Sequence, residues 1–200
     1  MLLNSDDCQL VLIDYQAKLM PVIHDGTAVL QQAVCLAEVA KLLQMPIWGT
    51  EQNPSRLGEN APQLKALCKK TLSKSHFSAV ADGLAEWLRP VNQPPSGNAR
   101  SLPKHLQKNR EAEPERSTVV LAGCETHICL LQTALELVEE EFDVVVVTDA
   151  CGSRTERNRD AAFDRLAGAG VELVTTEMVL FEWLRSHEHP LFPDVLKKIR

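Results

Sequence analysis

Three short, near-continuous apolar runs punctuate the chain, at residues 9–14, 117–123 and 143–149. Each is rich in Leu or β-branched residues and bounded by polar positions, which is how a strand covered on both faces of a parallel sheet reads. Residues 46–50 and 171–175 are shorter candidates, and a weak one spans 69–73. Between the strands, apolar positions recur at helical spacing. They fall at 30, 34, 37, 39, 40 and 43 within 27–44, and the pattern returns in 128–140, 158–166 and 177–186. A closing helix is predicted over 192–200, with Pro193 and Asp194 in its first turn. Strand and helix alternate to the end, which predicts right-handed βαβ units and an α/β fold with helices on both faces of the sheet.

Residues 90–116 break this rhythm. They combine Pro, Gly, Ser, Asn and clustered charge with almost no apolar periodicity, and read as a long polar loop: a mobile excursion, or a lid or interface arm. The rest of the 200-residue chain fits one domain with this excursion, residues 1–200. A composition of 44% apolar and 24% charged residues is that of an ordinary globular protein. The formal charge of −6 argues against a phosphate-backbone partner, so no nucleic acid is expected. No apolar run is long enough to span a bilayer and the first residues lack a basic, then apolar, leader. No membrane partner and a cytoplasmic location are the expectation. The six cysteines, at 8, 35, 68, 124, 129 and 151, read as mostly reduced and buried.

Ligands of parallel α/β sheets bind beyond the carboxyl ends of the strands, so the residues there are the ones that can carry chemistry. The first strand ends at Asp14, the weak third leads into Lys74, and the fourth runs through Gly123 into Cys-Glu-Thr-His-Ile-Cys129. The turn Asp14-Tyr-Gln-Ala-Lys18 lacks the glycines of a dinucleotide site. There is no P-loop and no G-x-S-x-G elbow, and His187-Glu-His189 reads as a solvated helix terminus. With Thr126 as an N-cap, Cys129 falls in a first helical turn, where the dipole and free N–H groups favour a thiolate. Cys129 is then either a nucleophile, with Asp14 as proton acceptor and Lys74 beside both, or a buried structural cysteine. Arg154, after the fifth strand, reads as tied to a neighbouring carboxylate or helix end, with an anion site as the alternative.

Four stretches in order and spacing carry a family resemblance: Val11-Leu-Ile-Asp-Tyr-Gln16, Thr50-Glu-Gln-Asn-Pro54, Lys74-Ser-His-Phe-Ser78 and Gly123-Cys-Glu-Thr-His-Ile-Cys-Leu-Leu-Gln-Thr133. With Thr148-Asp-Ala-Cys-Gly-Ser-Arg154, Glu177-Met-Val-Leu-Phe181 and His189-Pro-Leu-Phe-Pro193, the chain resembles the isochorismatase-like cysteine hydrolase superfamily, within it the isochorismatase domain-containing subgroup. The resemblance implies a Rossmann-like three-layer sandwich with a mostly parallel sheet of about six strands. It implies a triad of Asp14, Lys74 and Cys129, a cis peptide at Cys124-Glu125, and an oxyanion hole from the N–H groups of Glu125 and Cys129. Tyr15, Gln16, Leu19, Gln52 and Phe77 surround the implied substrate pocket. Nicotinamidase members carry a metal-binding Asp-x-His after the second strand, where this chain has Glu51-Gln52-Asn53-Pro54. Neither a metal nor a cofactor is therefore expected.

The resulting expectation is a cysteine-dependent hydrolase of a small amide or related carbonyl substrate, working through a thioester. The competing class is a catalytically silent scaffold of the same fold. Family resemblance also implies a homo-oligomer, with Trp183 and the C-terminal apolar residues as one surface. A redox pair of Cys124 and Cys129 is a third alternative.

Overall fold

The computed structural model describes residues 2–89 and 116–199. Among the described residues there are six strands, all parallel: β1 (Cys8–Ile13), β2 (Ile47–Gln52), β3 (Lys70–Lys74), β4 (Thr118–Gly123), β5 (Asp143–Val147) and β6 (Glu172–Val174). They form one sheet in the order β3-β2-β1-β4-β5-β6. The helices are α1 (Gly26–Leu42), α2 (Pro54–Leu57), α3 (Pro62–Lys65), α4 (Leu84–Leu88), α5 (Leu131–Glu139), α6 (Glu156–Gly168), α7 (Thr176–Leu184) and α8 (Phe192–Ile199). The polar excursion expected at 90–116 lies, apart from Arg116, outside the described residues.

Successive side chains of a strand point to opposite faces, so an unbroken apolar run feeds two cores. Leu10 and Leu12 of β1, Val120 and Ala122 of β4, and Val145 and Val147 of β5 join Leu36 and Ala40 of α1, Val179 and Trp183 of α7 and Val195 of α8. Val11, Ile13, Val119, Leu121, Val144 and Val146 alternate with them and pack against Leu84 of α4, Leu131 and Leu137 of α5, and Leu166 of α6. These are the three layers of a Rossmann-like sandwich. Trp183, expected on an association surface, is only 3% exposed, because α7 turns the stripe Val179, Leu180 and Trp183 into the first core.

Helix starts extend beyond the apolar periodicity because caps, not apolar residues, set them. Thr155 accepts the Asn158 N–H (3.3 Å) to open α6, and Thr175 accepts the Met178 N–H (3.4 Å) to open α7. All six cysteines are free thiols, which leaves the Cys124 and Cys129 pair unbridged. Among the described residues no helix is long and apolar enough to cross a membrane.

Candidate active site

The strand order places β1 beside β4 at the centre of the sheet, while the chain leaves β1 toward β2 and leaves β4 toward β5. A crevice opens at such a reversal, beyond the carboxyl ends of the two strands. Asp14 follows β1, the turn carrying Cys129 follows β4, and Lys74 is the last residue of β3. The three expected triad residues come together there. Lys74 Nζ lies 2.8 Å from Asp14 Oδ2, and both side chains are fully buried.

Two buried charges persist only where hydrogen bonds replace their lost hydration. Lys74 stands in register with Gln52 of β2, and its ammonium donates to Gln52 Oε1 (2.7 Å), Phe77 O (3.0 Å) and His76 O (3.3 Å). Asp14 has φ 54°, a left-handed conformation that ends the strand and that Asp tolerates better than most residues. Its N–H donates to Thr50 O (3.2 Å), and its Oδ1 accepts from Thr50 Oγ1 (2.7 Å). Oδ2 is the carboxylate oxygen that faces the Lys74 ammonium.

Cys129 is 6% exposed and within hydrogen-bonding reach of both Asp14 and Lys74. Burial pushes its thiol up to about 12; the Asp14 charge adds to the rise and the Lys74 charge opposes it. This corrects the expectation of a dipole-favoured thiolate. Residues Thr126–Leu130 form a π-helical turn ahead of α5, and removing the sulfur from water outweighs any gain from free N–H groups. Thr126 is not the cap either: its buried Oγ1 has no partner, and Glu125 occupies the cap position without a side-chain bond.

The peptide bond Cys124-Glu125 is cis. Cys124 is fully buried with its thiol held well above the ordinary range by desolvation, and its N–H donates to Ile13 O (2.9 Å). The Glu125 carbonyl accepts from Ile128 N (3.1 Å), while the Glu125 N–H donates to no acceptor among the described residues. The Glu125 carboxylate pairs with Arg154 Nε at 2.7 Å, so Arg154 has the carboxylate partner expected of it. His127 Nδ1 lies 3.0 Å from Ser153 Oγ.

The residues expected around the pocket divide by burial. Tyr15 is fully buried and its hydroxyl donates to Ala150 O, which gives the ring a structural anchor. Gln16 is also buried and ties the end of β1 to β2 through Gln52 O (3.0 Å), Gln52 N (2.8 Å) and Gly58 O (2.6 Å). Leu19 is half-buried at the start of a 3-10 turn. Gln52 bridges Lys74 to Ser75 O (2.9 Å), and the Phe77 side chain is 55% exposed above the carbonyl that holds Lys74.

Two contributors were not legible. Thr50 reaches Asp14 only because β1 and β2 pair with Ile13 opposite Thr50. Gly123 permits the close approach of β4 to β1, since a Cβ there would sit 2.5 Å from Ile13 O. At the end of β2, Glu51 accepts from Asn60 N (2.8 Å) and Lys65 Nζ (3.1 Å). Among the described residues no group of three or more His, Cys, Asp or Glu is arranged to hold a metal ion.

The isochorismatase domain family model matches residues 101–178. Isochorismatase domain-containing protein 2 of Rattus norvegicus is 32% identical over 191 residues, 96% of this chain and 80% of that protein. Its Xenopus laevis namesake is 33% identical over 190 residues, 95% of this chain and 82% of that protein. Among solved structures, the MAR1 ribonuclease of Caenorhabditis elegans superposes with a TM-score of 0.79 at 28% identity, covering 100% of this chain and 92% of that one. Such identity over nearly the whole of this chain and about four fifths of each relative places this protein in the isochorismatase domain family, a hydrolase family, as the order of its strand-end motifs implied.

Proposed function

We propose that the chain is a cysteine hydrolase of a small amide or related carbonyl compound, with Cys129 as nucleophile, Asp14 as general base and acid, and Lys74 as the cation that supports the charged site. The observation that carries this reading is the buried 2.8 Å Lys74–Asp14 pair with the Cys129 thiol in reach of both groups. Burial holds the Cys129 thiol above its ordinary range, which favours attack coupled to proton transfer over attack by a preformed thiolate.

The thiol proton passes to Asp14 Oδ2 as Sγ bonds to the carbonyl carbon. Negative charge collects on the former carbonyl oxygen, toward which the unpaired Glu125 N–H and the Cys129 N–H donate; one such donor is worth roughly 10²–10³-fold in rate. Collapse breaks the C–N bond, and the leaving amine takes the proton from Asp14. A water molecule then gives a proton to Asp14 and its oxygen to the thioester carbon. Release of the acid returns the proton from Asp14 to the sulfur.

The test is a screen of small amides, ureas and esters against wild type and Cys129→Ala, with intact-mass detection of an acyl adduct. The reading predicts turnover and an adduct in the wild type alone. Equal turnover in Cys129→Ala removes the cysteine mechanism, and no turnover on any member of the set removes the reading in favour of a silent scaffold. RNA cleavage is a second reading raised by the name of the C. elegans neighbour. The net charge of −6 and a triad suited to acyl transfer argue against it, and incubation with single-stranded RNA decides. Cytoplasmic location and self-association belong to the same reading, the latter measured by light scattering.

A further inference from the structure

At the amino ends of the strands, opposite the triad, lies a cleft of about 400 Å³. Gln9, Ile47 and Trp48 form its floor, Trp87 one wall, and Lys41, Lys69, Arg89 and Arg116 its rim. Four of the described lining residues are cationic and none of the described ones is acidic, in a chain whose net charge is −6; Arg89 is paired with Glu140 at 2.7 Å, and Lys41, Lys69 and Arg116 are the cations that set the potential of the cleft. This concentrates positive potential where the rest of the molecule is negative.

The floor is a built one. Gln9 is almost wholly buried; its amide donates to Leu88 O (3.0 Å) and Arg116 O (3.0 Å), and its oxygen accepts from Trp48 Nε1 (3.1 Å). The two indoles stand 5.9 Å apart at 52°, with Lys69 Nζ 5.1 Å from the Trp48 ring and Lys70 Nζ 5.0 Å from the Trp87 ring. Arg116 spends one nitrogen on Ser5 O (2.7 Å) and Cys8 O (2.6 Å), which fixes its guanidinium while leaving the other N–H groups without partners among the described residues. Apolar surface with a few convergent polar groups is what a small-molecule site requires, and cations poised over ring faces suit a ligand that is both planar and anionic.

We propose that this cleft binds a small anion carrying a planar ring, of about the size of a nucleoside monophosphate, at a site separate from the triad. The six residues of β2 run from its floor to Gln52, so roughly 16 Å of strand divides the two sites. Two of the three tryptophans line the cleft while Trp183 is buried on the α7 side, so intrinsic fluorescence reports on it selectively.

The experiment is a fluorescence titration of the full chain with AMP, with adenosine and inorganic phosphate as separate arms. Saturable quenching by AMP is expected, unchanged in Cys129→Ala and weakened about tenfold or more in Lys41→Gln/Lys69→Gln, two exposed positions, with far-UV circular dichroism showing that the variant is folded. Trp87→Leu is expected to remove most of the response. Phosphate or adenosine binding as tightly as AMP would overturn the combined ring-and-anion recognition. So would AMP binding that the lysine variant leaves intact, or no saturation up to about 10 mM.

Discussion

The two ends of the sheet treat charge in opposite ways. At the carboxyl end, Asp14 and Lys74 are withdrawn from water and every strong partner is supplied by neighbouring strands, Thr50 and Gln52 of β2 and the carbonyls that follow β3. At the amino end, Lys41, Lys69 and Arg89 stay at the surface, and the buried polar group is the neutral Gln9. The same residue types are stripped of hydration at one end of the sheet and left hydrated at the other.

Alkaline pH gives the largest expected effect, since it acts on both ends at once. Burial raises the thiols of Cys8, Cys129 and Cys151 from about 9 to about 11, 12 and 12. Above about pH 9 the unfolded chain releases these protons while the native chain keeps them, so stability is full below that pH and falls as pH rises toward 12. The slope is about 1.4 kcal/mol per pH unit for each thiol, read from urea denaturation at stepped pH. A flat profile from pH 9 to 11 would mean that the sulfurs are hydrated.

Lys74→Met attacks the carboxyl end directly. It strands the Asp14 charge and should cost about 3–5 kcal/mol, much of it recovered in Lys74→Met/Asp14→Leu. Gly123→Ala should cost about 1–3 kcal/mol, because its Cβ would meet Ile13 O at 2.5 Å next to Asp14. Gly168→Ala, with nothing within 4 Å, should be neutral or slightly stabilising. Thr50→Val keeps the shape but removes the donor to Asp14 Oδ1; about 1 kcal/mol of stability and roughly tenfold in kcat are expected to go. Lys69→Gln, at the amino end, should move the melting free energy by no more than about 0.5 kcal/mol.

The sheet was legible because its central strands are apolar on both faces, so β1, β4 and β5 stand out as unbroken runs. The weaker signal of β3 has a cause: this edge strand buries only Leu72 and Lys74, and its other positions, Lys70, Thr71 and Ser73, are polar and exposed or half-buried. Four- and five-residue helices such as α2, α3 and α4 are too short to display a period. At the site, strand ends gathered Asp14, Lys74 and Cys129, because topology decides which side chains share an edge. The ionisation of Cys129 was misread, since a helix start is visible in sequence while the burial that outweighs it is not. Thr50 depends on strand register and Trp183 on the rotation of α7, and neither is written in local spacing.

The central claim is that Asp14 takes the Cys129 proton. It is tested most directly by the rate at which Cys129 is acetylated by p-nitrophenyl acetate at pH 7 in wild type and Asp14→Asn, followed by intact mass and peptide mapping. Removing the Asp14 charge lowers the thiol pKa, so a site driven by thiolate population alone would react faster in the variant. With Asp14 as base the variant loses roughly 10²-fold or more. Acetylation of Asp14→Asn at or above the wild-type rate would contradict that role.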